Sequence, residues 1–107
     1  MNVNLTEITN VIRSKNSGPY ELTFDLMFLN REIFEKICTS KQINPAVICE
    51  LYQIDQADII NIVEFLPANA IKITIKRPLC SGDLGETDVY GAQQHAPLLG
   101  LVVDIDG

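Results

Sequence analysis

Hydrophobic and polar positions alternate most strictly from Tyr20 to Phe28, with Tyr20, Leu22, Phe24, Leu26 and Phe28 on one face and Glu21, Thr23, Asp25 and Met27 on the other. A period of two is the signature of a half-buried strand. Ahead of it, Leu5, Ile8, Val11 and Ile12 have a mixed period that fits a turn of helix running into a short strand ending near Arg13. Between these two lies Ser14 to Pro19, SKNSGP, a cluster of turn formers in which Gly18 accepts positive φ and Pro19 fixes the exit. We therefore expect a tight turn beside a strand end.

After the alternating run the period changes to that of a helix. Asn30 is placed to cap a helix with the stripe Ile33, Phe34, Ile37 and Cys38, stopping near Ser40. Asn44 followed by Pro45 is a second start signal, and Val47, Ile48, Leu51 and Tyr52 repeat the stripe. Ile59 to Leu66 is rich in β-branched residues, and Ile71, Ile73 and Ile75 alternate with Lys72, Thr74 and Lys76. Pro67, Ala68 and Asn69 between them are short enough for a hairpin link, hence an antiparallel pair. Leu98 to Ile105 supplies a last strand. These elements predict an α+β open sandwich, a mostly antiparallel sheet with two short helices on one face.

The 107 residues suit a single domain with one core. A net charge of −6 with eight scattered basic residues argues against nucleic-acid binding, and no stretch has the continuous apolar length of a membrane span. The opening MNVNLTEITN has neither the basic nor the apolar region of a secretory signal, so no leader is expected. Cys38, Cys49 and Cys80 are odd in number and lack CxxC spacing, which fits a reducing cytoplasm rather than a disulfide framework. Cys38 and Cys49 read as small core hydrophobes. Cys80 with His95 is a conceivable nucleophilic pair, but nothing in the local spacing forces them together.

Arg77 to Pro97, RPLCSGDLGETDVYGAQQHAP, has neither period, and it holds the only histidine, three of six glycines and two of five prolines. Loops longer than about a dozen residues are usually functional or disordered. Asp83, Glu86 and Asp88 match no calcium-loop spacing, and one histidine with scattered carboxylates is a weak metal signature, so neither a metal nor a cofactor is expected. SGDLG lacks the strand-to-helix setting of a phosphate cradle. What remains is polar density in Asp88, Tyr90, Gln93, Gln94 and His95 beside a strand end carrying Arg77. Arginine grips an anion with two donors, glutamine donates and accepts, and histidine moves a proton near neutral pH. Amide side chains that tie a loop to a sheet edge explain the same residues structurally.

The blocks IRSKNSGPYELTFDLMF, AIKITIKRP and SGDLGETDVYGAQQHAPLL resemble those of a family of small stand-alone proteins of unknown function, related to the C-terminal ferredoxin-fold domain of the acyclic terpene utilisation protein AtuA. The resemblance runs from about Val11 to Val103. It implies a ferredoxin-like fold, an AtuA-like large partner and a setting in the breakdown of carboxylic or acyl-CoA compounds. It also gives weight, without roles, to Arg13, Ser14, Lys15, Asn16 and Gly18 and to Thr87, Asp88, Tyr90, Gly91, Gln93, Gln94 and His95. Where the AtuA-like domains have an RSGDKG turn this chain has RSKNSG, so the acidic residue is missing.

If both polar blocks meet at one end of the sheet, Arg13, Lys15 and Arg77 form a cationic pocket for an anion, with Asn16 and Asp88 to His95 beside it. Three functions follow as expectations. One is an accessory subunit completing the site of a hydratase, lyase or isomerase. Another is an independent domain or enzyme binding a small carboxylate or acyl-CoA through His95, Arg77 and Lys15. The third is a homo-oligomeric assembly protein joined through the apolar strand Ile59 to Leu66.

Overall fold

A computed structural model of the chain describes residues 2–18, 20–76 and 96–105. The predicted α+β architecture is present: β1 (Asn2–Asn4), β2 (Thr9–Gly18), β3 (Glu21–Phe28), α1 (Arg31–Ser40), α2 (Pro45–Tyr52), β4 (Ile59–Phe65), β5 (Ala70–Lys76) and β6 (Val102–Asp104). Four strands form an antiparallel sheet in the order β2-β3-β5-β4, and β1 pairs with β6 in a separate two-stranded ribbon. The chain runs as a hairpin, a helix pair and a second hairpin. Together these give an open sandwich of ferredoxin-like type, with both helices on one face.

The helices start and stop where their side chains dictate. Asn30 Oδ1 accepts from the Ile33 amide at 2.9 Å, and Asn44 Oδ1 accepts from the Val47 amide at 3.0 Å. Each cap satisfies a first-turn donor that has no partner inside the helix. Both helices end at a residue in the left-handed region, Lys41 (φ 58°) and Gln53 (φ 54°). Arg31, at the start of α1, donates from Nε to Asn69 Oδ1 and from Nη2 to the Leu66 carbonyl, which fixes the helix onto the β4–β5 turn.

The core lies between the sheet and the helices. Leu22, Phe24, Leu26 and Phe28 from β3 and Ile71, Ile73 and Ile75 from β5 pack with Phe34 and Ile37 of α1 and Ile48 of α2. Phe24 stacks on Tyr52 with ring centroids 4.8 Å apart. Leu5, Leu98 and Val103 close the core from the ribbon side. The ribbon is clamped there by Gln42, whose amide donates to the Asp104 carbonyl and accepts from the Asp104 amide, both at 2.6 Å. No helix among the described residues is long and apolar enough to cross a membrane.

Three expectations are corrected. The strand expected to end near Arg13 continues to Gly18, so Ser14 to Gly18 is strand and not a turn cluster. Pairing with β3 supplies what the polar sequence lacks, since Ser14 lies opposite Phe24 and Asn16 opposite Leu22. Secondly, the last strand is shorter than Leu98 to Ile105. Ala96–Gly100 forms a 3₁₀ turn, and only Val102–Asp104 is extended, paired to a strand, β1, that shows no sequence period. Thirdly, Tyr20 precedes β3 and is exposed, so its alternation with Leu22 does not bury it.

Candidate functional site

Strand alternation gives the sheet an apolar inner face and an outer face that is largely polar. The register places Arg13 opposite Asp25 and Asp25 opposite Lys72, then Lys15 opposite Thr23 and Thr23 opposite Thr74, with Glu21 opposite Lys76. Side chains directly across neighbouring strands share a face and interact. The outer face thus carries Arg13, Lys15, Lys72 and Lys76, four of the eight basic residues in a chain of net charge −6, against the carboxylates Asp25 and Glu21.

Asp25 is the centre of this face. It is 1% exposed, although neither helix covers its side of the sheet. Arg13 Nε donates to Oδ2 at 2.9 Å, while Oδ1 faces Lys72 Nζ at 3.7 Å. No hydrogen-bond donor reaches Oδ1 among the described residues. A buried carboxylate without a cation is unstable, so each of these two cations offsets part of the desolvation cost. Lys72 also lies 5.3 Å from the centroid of the Phe65 ring, and Thr23 and Thr74 share a hydroxyl hydrogen bond of 3.2 Å in the next row. Val63 and Phe65, 43% and 42% exposed, flank the row from β4 on the same face.

The expected site residues divide. Arg13 and Lys15 stand on this outer face, but Asn16 alternates to the inner face with Ser14, so the RSKNSG block does not act as one wall. Arg77, Asp88, Tyr90, Gln93, Gln94 and His95, together with Cys80, lie outside the described residues. Among the described residues, the second cation beside Arg13 is Lys72. Sequence reasoning passed over both Asp25 and Lys72, taking each as the polar half of an alternating strand. The available signal was an aspartate, a poor strand former, between Phe24 and Leu26 at the middle of the clearest strand.

A second feature lies on the helix side, where α1 and the segment after it overhang β4. A concavity of about 750 Å³ is lined there by Ile37, Ile43, Ile62 and Ile71, with Lys41 and Glu64 among its polar groups. The Cys38 thiol donates a hydrogen bond to the Glu64 carboxylate. Burial, and then this carboxylate, push the thiol up to about 12, so Cys38 is a neutral thiol and a poor nucleophile at physiological pH. Burial also raises the Tyr52 phenol.

No curated protein and no solved structure matches the chain. The family model described as "Domain of unknown function (DUF4387)" matches residues 5–102 of the 107, nearly the whole chain, and the protein belongs to that family.

Proposed function

We propose that this domain is a small accessory subunit that presents its outer sheet face to an AtuA-like large protein acting on carboxylic acids or acyl-CoA compounds. The observation that carries the reading is the Arg13–Asp25–Lys72 row, which concentrates positive charge on one face of an acidic protein. Beside it stand Val63 and Phe65, giving the mixture of exposed apolar and cationic groups that suits docking and anion recognition together. Asp25 holds the two cations in place, so they meet an incoming carboxylate or phosphate already positioned.

Co-expression with an AtuA-like protein from the same genome tests the reading. Wild-type chain is expected to co-purify at fixed stoichiometry, and Phe65→Asp combined with Lys72→Glu is expected to abolish the complex while the domain stays folded. A complex indifferent to both changes, or no complex at all, overturns it. A second reading, an independent domain that binds a small carboxylate, draws on Arg13 and Lys72 together with Arg77 and His95. It predicts a thermal shift of the isolated domain with carboxylates or acyl-CoA compounds, which the accessory reading does not require.

A further inference from the structure

We propose that the edge of β4 away from β5, unpaired among the described residues, joins two copies of this chain, each laying its β4 antiparallel to the other's across a two-fold axis, so that two four-stranded sheets become one. β4 is an end strand in the order β2-β3-β5-β4, and among the described residues it pairs with β5 alone. Its outer backbone groups are therefore a template for another strand.

The composition of β4 makes it a receptive edge. Ile59, Ile60, Asn61, Ile62, Val63, Glu64 and Phe65 include one charge, no lysine and no proline. Edges that must stay single are blunted by such residues or by bulges. The single irregularity in its pairing, at Ile60, lies near the start of the strand and leaves that isoleucine 41% exposed. By contrast the opposite edge, β2, carries Arg13 and Lys15 and is irregular at both Thr9/Val11 and Asn16/Gly18. One receptive edge and one blunted edge yield a closed pair instead of a growing fibre.

The concavity beside β4 identifies a copy as the occupant. A strand added to β4 turns its own inward-facing residues toward the helix side, into the space lined by Ile37, Ile43, Ile62 and Ile71. β4 has the side chains for that space, because Ile62 faces inward opposite Ile73. The strand that leaves the space open is thus suited to fill it. An axis at Ile62 sets Ile62 opposite its own symmetry mate, Asn61 opposite Val63 and Ile60 opposite Glu64, so no like charges meet.

Sedimentation velocity of the full chain at micromolar concentration tests this. The wild type is expected at twice the chain mass. Ile60→Glu, which sets a carboxylate opposite Glu64, is expected to weaken association by roughly tenfold or more, whereas Ile60→Lys, which offers Glu64 a cation, keeps it. Lys15→Glu, on the other edge, leaves it unchanged. Far-UV circular dichroism identifies any variant that has lost the fold, and hydrogen exchange of β4 amides in the wild type, slowing as concentration rises, reports the same pairing without mutation. A monomeric wild type, a dimer indifferent to Ile60→Glu, or a dimer lost in a folded Lys15→Glu variant overturns the proposal.

Discussion

Arg13 and Asp25 lie directly across from each other on β2 and β3, and the guanidinium Nε donates to the carboxylate Oδ2 at 2.9 Å. The pair is asymmetric: the arginine side chain is 55% exposed, whereas that of the aspartate is 2% exposed. Stability therefore depends on keeping the carboxylate partnered more than on the arginine itself. Arg13→Met should cost about 1–2 kcal/mol, the range for a charge-assisted hydrogen bond discounted for the exposed side. Lys72→Met, which removes only the longer contact, should cost about 1 kcal/mol or less. The double variant should lose more than the sum, on the order of 3–5 kcal/mol, because it strands a buried charge. Urea unfolding of the four proteins measures this directly.

Cys38 should be slow to alkylate at neutral pH, and Glu64→Gln should speed it by removing the carboxylate that accepts its proton. The pH dependence has a definite sign. The thiol is raised from 9.0 to about 12, so the unfolded chain gives up this proton first as pH rises. The contribution to stability is complete below pH 9.0 and is lost as pH climbs towards 12. Replacing Cys38 by Ala should flatten the stability profile across that window, read by thermal unfolding at several pH values.

The helix ends offer stabilising and destabilising changes of known sign. Asn30→Ala and Asn44→Ala should each cost about 1 kcal/mol by stranding first-turn amide donors. Gln53→Gly should instead stabilise by about 0.5–1 kcal/mol, because φ at 54° is strained for any residue with a Cβ. Chemical denaturation with unchanged m-values is the expected readout for all three.

Gln42 acts as a short piece of strand, using its side-chain amide to satisfy both backbone groups of Asp104. Gln42→Ala should cost about 1–3 kcal/mol and raise hydrogen exchange selectively at β1 and β6. Exchange spread evenly over the four-stranded sheet would show that the ribbon is not held by this residue.

Where side chains act locally, the fold could be read before it was seen. The bounds of α1 and α2 follow from Asn30 and from Asn44–Pro45, and β3 and β5 follow from their alternation. The second half of β2 could not be read this way, because Ser14 to Gly18 is polar or small on both faces and is held extended by its neighbour. β1 and β6 are three residues each and take their shape from pairing across nearly the whole chain. Arg13 and Lys15 were legible as cations of interest. Lys72 was not, since its partnership with Asp25 rests on β3–β5 register, which no local pattern encodes.

The order of the sheet also bears on how it assembles. β2 with β3, and β4 with β5, are hairpins whose contacts are close in sequence, whereas β3 meets β5 only after the helix pair has been spanned. Distant contacts form late because the chain must first close the loop between them. Asp25 sits on that seam. Its arginine comes from its own hairpin and its lysine from the other, so the carboxylate gains its second cation only when the two halves dock. Changes at Ile59 or Phe65, within one hairpin, should then appear in the folding rate and changes in the Lys72–Asp25 contact mainly in the unfolding rate, making one buried aspartate a kinetic marker for the joining of the two hairpins.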